Sequence, residues 1–298
     1  MLRIGLFLAT NLAILVIASI TMSILGVQSN TMLGLLIMCA MFGCGGSLVS
    51  LLISKWMAKN ATGTRVIEHP SSEQEKWLLQ TVEQLAQAEG IGMPEVGIFS
   101  SASPNAFATG FSKNNALVAV SEGLLASFSK DEIRAVLAHE IGHVSNGDMV
   151  TLSLIQGVIN TFVMFAARLI GMAISAALSN RSSSSSDSYS SYNMGYYLGV
   201  ILSEMVLGFL ASAIVMWFSR RREYAADYAG AKLAGRQNMI KALQKLLDGQ
   251  QNATNDMPDS MVAFGISSNL KEGFMAFFMS HPPLEKRIAA LQQLTIIN

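Results

Sequence analysis

The chain has 298 residues, of which 51% are hydrophobic and only 13% charged, with 20 basic and 20 acidic residues and a formal net charge of zero. That charged share is about half what a soluble domain carries, and with no basic excess to neutralise phosphates no nucleic acid is expected as a partner. The apolar residues fall in blocks, as they do in chains that cross a bilayer.

Residues 4–26 and 32–54 each run without a charge for the length a helix needs to span the hydrocarbon core, which predicts two membrane helices. A signal peptide is the competing reading of the first block. Its apolar run is longer than an ordinary h-region, however, and has no clear small-residue cleavage site. Cys39 and Cys44 lie five apart in the second block, form no CxxC pair, and read as packing residues.

A capping box, Ser72-Glu73-Gln74-Glu75, opens an amphipathic helix expected to end near Glu89, with Trp77, Leu78, Leu85 and Ala88 on one side. Beyond Gly90 and Pro94, the runs Val96–Phe99, Ala106–Phe111 and Ala116–Val120 read as strands, the last two joined by a hairpin loop at Ser112–Asn115. Such a sheet offers an edge to an extended peptide. A second capping box, Ser129-Lys130-Asp131-Glu132, opens the next helix, with Ile133, Leu137, Ile141 and Val144 on its buried face.

That helix carries His139-Glu140-Ile141-Gly142-His143. Histidines four apart stand one turn above the other, so their ring nitrogens can reach one ion, and the intervening glutamate is placed beside the metal rather than on it. A zinc peptidase needs this arrangement: two ligands, and a carboxylate to take a proton from an activated water. The bland alternative is two surface or core histidines that match the pattern by accident. No histidine or acid follows at the short spacing of metzincins, so a third ligand must come from elsewhere.

Residues 150–179 and 195–218 are two further apolar blocks around a serine-rich stretch, Ser182–Ser191, which reads as a solvated loop. Arg168 and Glu204 interrupt them at similar depth and are expected to meet across the hairpin or to face a watery groove. Next comes a helix over Arg220–Ala234, whose Glu223 is the best candidate for the third ligand. Asp227, one turn on, is placed to accept the spare N–H of a ligand histidine. A solvated helix face is the alternative for both acids. Asn252–Ser260 looks like a mobile loop, and most of the eighteen methionines lie in apolar blocks and read as packing.

With HEIGH, the stretch Arg221-Arg222-Glu223-Tyr224-Ala225-Ala226-Asp227, Pro104–Gly110 and Ser280-His281-Pro282-Pro283, essentially the whole chain resembles the HtpX membrane metalloproteases, gluzincins related to the CAAX-processing proteases. The resemblance implies one zinc ion per chain held by His139, His143 and Glu223, with Glu140 as general base. It places Asn105 to Gly110 beside the substrate and gives His281 and Arg222 roles in positioning substrate or stabilising the oxyanion. It further implies quality control: cleavage of damaged or misassembled membrane proteins at the cytoplasmic side of a bacterial inner membrane.

The expected architecture is a mostly α-helical α+β integral membrane protein with about four transmembrane helices and a zincin-like cytoplasmic catalytic domain containing a small β-sheet. Residues 1–54 form a two-helix anchor, 150–218 a second membrane hairpin, and 55–149 and 219–298 the two parts of the catalytic domain. Basic residues at Arg3, Lys55, Lys59, Arg65 and Arg220–Arg222 put both termini and both polar stretches in the cytoplasm. Lys130, Asp131, Glu132 and Arg134 argue against a site buried inside the bilayer. A noncatalytic zinc-binding membrane chaperone or scaffold would keep both histidines but would not require Glu140.

Overall fold

The computed structural model describes residues 31–179, 185–255 and 282–294, together with Ile20. Its elements in chain order are α1 (Met32–Thr62), β1 (Arg65–Val66), α2 (Glu73–Ala88), β2 (Glu95–Phe99), β3 (Ala106–Ser112), β4 (Asn115–Ser121), α3 (Glu122–Ser127), α4 (Lys130–Asn146), α5 (Asp148–Ser179), α6 (Ser185–Ala234), α7 (Arg236–Asn255) and α8 (Leu284–Gln293). The chain divides into two compact units, one formed by Met1–Ser50 and Leu152–Val215, the other by Leu51–Thr151 and Met216–Asn298.

The first unit is built from apolar helices. Among the described residues three segments, Met32–Thr62, Asp148–Leu178 and Met194–Ala234, are long and apolar enough to cross a membrane. They coincide with the second, third and fourth apolar blocks; the first block lies outside the described residues. Many large side chains on them are exposed, among them Leu33, Phe162 and Met205, as expected where lipid is the neighbour. The chain is an integral membrane protein. Small residues let its helices touch: a Cβ on Gly157 would lie 3.0 Å from Cys44 Cα, and one on Gly199 3.0 Å from Gly171 Cα. Cys39 is buried and Cys44 Sγ lies 3.6 Å from Thr161 Oγ1, so both are packing residues.

Three expectations differ from the structure. The serine-rich stretch is not a loop throughout, because α6 begins at Ser185; Ser182–Ser184 lie outside the described residues. Nor is there a separate helix from Arg220, since α6 continues unbroken for 50 residues, through the apolar run and on to Ala234. No proline or cap interrupts the sequence there, and extending an existing helix needs no new nucleus. Likewise α7 runs to Asn255, into the stretch read as a loop, whose remainder lies outside the described residues.

The second unit joins a four-stranded sheet, in the order β1-β2-β4-β3, to helices α2, α4, α7 and α8. β2 and β4 are parallel, while β3 and β4 form the expected antiparallel hairpin. Central β4 is buried from Ala116 to Ser121, whereas β3 is an edge strand. The core interleaves Leu78, Val82 and Leu85 of α2 with Val118 and Val120 of β4 and with Ile133, Leu137 and Ile141 of α4. Ala88, expected on the buried side of α2, is exposed.

Ser129 and Glu132 form a complete capping box, which fixes where the HExxH helix starts. Ser72 caps α2, but Glu75 does not return the bond to Ser72. Its carboxylate accepts from the Ser71 N–H at 2.7 Å and from Arg65 of β1 at 2.6 Å. The Ser71 amide, followed by the Arg65 guanidinium, holds the Glu75 carboxyl down to about 2. The missing half of the predicted box thus binds β1, a strand the sequence did not reveal.

Within the first unit Arg168 Nη1 donates to Glu204 Oε1 at 3.2 Å and to the Met164 carbonyl at 2.9 Å. A charge within a bilayer costs about 2.5–3.5 kcal/mol when unpaired. Replacing Arg168 with Leu should therefore lower the unfolding temperature in detergent far more than replacing Arg168 and Glu204 together; an equally damaging double change would show that the pair carries no coupling.

Candidate active site

The site is assembled on two helices that approach closely because small residues line their contact. A Cβ on Gly142 of α4 would lie 2.8 Å from the Ala229 Cβ of α6, and one on Gly230 of α6 would lie 3.4 Å from the His139 backbone nitrogen. With backbones this near, Glu223 on α6 reaches both histidines. His143 Nε2 lies 3.3 Å from Glu223 Oε1, and His139 Nε2 lies 3.6 Å from Glu223 Oε2. One ligand atom from each of the three residues falls within 4.8 Å of the others, an arrangement able to hold a metal ion.

Each imidazole is held from behind by its other nitrogen. His139 Nδ1 is 3.0 Å from Asp227 Oδ1, the partner expected from the sequence, and His143 Nδ1 is 2.6 Å from Asp148 Oδ2. Such contacts fix the tautomer that leaves Nε2 free for a metal. Asp148 escaped the sequence reading. It follows Gly147, whose left-handed conformation (φ 69°) ends α4 and turns the chain so that the first acid of α5 returns to His143.

Both carboxylates are themselves held by arginines. Arg287 of α8 donates from Nε and Nη2 to Asp227, at 2.8 and 2.5 Å, and its Nη1 lies 3.2 Å from Glu223 Oε2. Arg222 donates to the Asp148 carbonyl and lies 3.8 Å from its carboxylate. The structure thus sets Arg222 behind His143, against Asp148. Arg287 too was missed, although Leu284, Arg287, Ile288 and Leu291 share one face of α8 and the other three pack in the core. A charge in the middle of an apolar stripe signals a buried partner.

A cavity of about 190 Å³ opens beside His139, lined by Glu140 together with His139 and Glu223. Asn105 and Ala106, at the start of edge strand β3, form its lip with Pro104. Buried Ser121 shapes that lip: its hydroxyl accepts from the Asn105 and Leu124 N–H groups and donates to the Ser103 carbonyl. His281 lies outside the described residues.

Residues 72–295 match peptidase family M48. The chain belongs to that family. It is 59% identical over 297 residues to Protease HtpX of Ectopseudomonas mendocina, covering 99% of this chain and 100% of that protein. It is also 59% identical over 295 residues to Protease HtpX of Pseudomonas aeruginosa strain LESB58, with 98% and 99% covered. The crystal structure of S. mikatae Ste24p superposes with a TM-score of 0.66 at 20% identity, over 97% of this chain and 64% of that one, and shows the fold. This M48 chain spans about two thirds of Ste24p and the full length of the HtpX relatives.

Without a metal, burial opposes charge on both histidines, yet the carboxylates outweigh it. Hydrogen bonds with Asp148 and Glu223 push His143 up to about 9, and those with Asp227 and Glu223 push His139 upward. A metal must displace these protons. Affinity of the metal-free M48 chain for zinc should rise about tenfold per pH unit for each proton displaced, until the pH passes about 9. The sign is opposite for stability: the His143 contribution to the metal-free fold is complete below its unfolded value near ~6.5 and disappears as pH rises through about 9. Competition titrations with a chromogenic chelator at several pH values measure the first effect, and a pH-independent affinity would mean that the histidines are already neutral.

Helix approach is tested by exchange. Gly142→Ala should destabilise the chain by about 1–3 kcal/mol through overpacking, and adding Ala229→Gly should restore most of that loss in thermal unfolding.

Proposed function

We propose that the chain is a zinc-dependent endopeptidase of a bacterial inner membrane, cleaving misfolded or damaged membrane proteins at the cytoplasmic face. The observation that carries this reading is the convergence of His139, His143 and Glu223 on a space fit for one ion, beside a cavity walled by Glu140. Zinc bonds of about 2.0–2.1 Å in a tetrahedron place ligand atoms roughly 3.3–3.4 Å apart, close to the 3.3 and 3.6 Å separating Glu223 from the two imidazoles. The donor set of two imidazoles and a carboxylate, with both Nδ1 atoms engaged, suits a catalytic zinc site.

In this reading His139, His143 and Glu223 hold the ion. Once bound, zinc supplies Lewis acidity that makes water easier to deprotonate and polarises a peptide carbonyl. The Glu140 carboxylate takes the proton of the attacking water and delivers it to the leaving amine. Asp227 and Asp148 keep the ring planes aimed at the ion, and Arg287 and Arg222 keep those acids in place. Edge strand β3 aligns an extended polypeptide by backbone hydrogen bonds, with Asn105 at the lip of the cleft. His281 is retained as a residue that positions substrate or steadies the oxyanion.

Residues 55–149 and 219–298 are read as two parts of one catalytic domain, and the single compact unit that contains both supports that view. Basic residues flanking the apolar blocks favour a cytoplasmic site. The name Protease HtpX, carried by relatives matching over the full length, supports proteolysis. Quality control follows from the resemblance to that group.

Purified full-length chain in detergent provides the test. Glu140→Ala should retain one zinc per chain while cleavage of a denatured protein falls by at least about 100-fold, whereas Glu223→Ala should lose the zinc itself. Unchanged turnover in Glu140→Ala would remove that residue from the chemistry.

A further inference from the structure

Arg168 and Glu204 sit where a membrane protein rarely keeps charges. Arg168 lies ten residues before the end of its apolar segment at Leu178, and Glu204 ten residues after the start of its own at Met194. At 1.5 Å per residue that is about 15 Å, half of a hydrocarbon core of roughly 30 Å. The two groups are paired, but neither is enclosed: 21% of the Arg168 side chain and 39% of the Glu204 side chain are exposed. Arg168 donates through Nη1, to the Met164 carbonyl and to Glu204 Oε1. Among the described residues Arg168 Nη2 and Glu204 Oε2 have no hydrogen-bond partner. One turn further along α6, a Cβ on Gly208 would meet nothing within 4 Å, so there is open space beside the carboxylate.

Holding α5 against α6 does not require these charges. Small residues already bring the two helices together, with a Cβ on Gly195 lying 3.3 Å from Ser175 Cα and one on Gly199 3.0 Å from Gly171 Cα. A half-open ion pair instead presents a donor and an acceptor at a depth where no water can satisfy them.

We infer that the open side of the Arg168–Glu204 pair docks a membrane helix of the substrate that carries an asparagine or glutamine at mid-bilayer depth. The inference rests on the peptidase reading and deepens it, naming the feature that marks a membrane protein for cleavage. A carboxamide is complementary to the pair at both of its ends: its carbonyl accepts from the guanidinium while its NH2 donates to the carboxylate. An apolar helix satisfies neither group, and a lysine or aspartate brings a further charge into the bilayer and repels one member of the pair. In an assembled complex such an amide is bonded to a neighbouring helix, so a subunit that lacks its partner is the one that presents it. Docking here raises the effective concentration of the attached polypeptide without any new contact in the cleft. Hydrogen bonds between membrane helices favour association by about threefold on average and by about fifteenfold at most.

The test uses the full-length, zinc-loaded chain in proteoliposomes with two model substrates. Each is one leucine–alanine membrane helix followed by the same unstructured polar tail, and they differ only in carrying leucine or asparagine at the helix midpoint. At limiting substrate the wild type should cleave the asparagine form about threefold to fifteenfold faster. Arg168→Leu combined with Glu204→Leu, and separately Gly208→Leu, which fills the space beside Glu204, should cleave both forms at the rate of the leucine form while cleaving denatured casein as the wild type does. Should the double variant lose casein cleavage, Gly208→Leu decides alone, since its Cβ enters open space. Equal rates for the two forms with wild type, or a preference that persists in the casein-cleaving variants, overturn the docking assignment and leave the peptidase reading intact. Absence of any cleavage by the wild type, casein included, overturns both.

Discussion

Removing a carboxylate from water costs several kcal/mol unless a counter-charge and hydrogen bonds replace the solvent, and the second unit places Asp148, Glu223 and Asp227 in its buried interior. Two parallel chains of contact compensate them. Arg222 holds Asp148, which holds His143; Arg287 holds Asp227, which holds His139. Together with Glu140, four carboxylates meet two guanidiniums, so a bound dication brings the formal charge to neutrality. The metal is in that sense a structural counter-ion as well as a reagent, and the raised basicity of both histidines without it expresses the same excess of negative charge.

The helices deliver these charges only because they come nearly into backbone contact. Gly142 against Ala229, and Gly230 against the backbone around His139, give α6 the proximity that a glutamate needs to share an ion with two histidines. The membrane helices rely on the same device at Gly157 and Gly199, for a different reason. In lipid the hydrophobic effect does not press helices together, so close packing is itself the attraction. In the second unit a large core holds the helices together, and small residues merely set the distance.

Local patterns were legible wherever one element explains itself. The capping box at Ser129, the buried stripe of α4 and the three strands follow from residue spacing, and the pairs His139 with His143 and Glu223 with Asp227 could be read because the members of each lie one turn apart on one helix. What escaped was tertiary. Glu75 looked like a helix cap until Arg65 brought a strand to it, Asp148 looked like an ordinary acid in the first turn of α5, and Arg287 was overlooked beside His281. Each has a partner far away in sequence or beyond a turn. Helix ends erred in one direction: serine-rich and polar stretches were read as loops where α6 and α7 simply continue. Composition records what a segment can do alone, whereas a neighbouring helix turn lowers the cost of extending it.

The chain order of the site's charged residues fixes a timetable. A ribosome delivers His139 and His143 first, Glu223 and Asp227 after the apolar hairpin, and Arg287 after both. Until that arginine arrives, the paired acids of α6 lack their guanidinium. A nascent chain that stops short of α8 therefore carries the three residues able to hold an ion, His139, His143 and Glu223, but not the arginine that contacts Glu223 and Asp227. The paired acids of α6 thus gain their guanidinium only once α8 has been made and has packed against the site, so the charge balance of the cleft is completed by a late-synthesised helix.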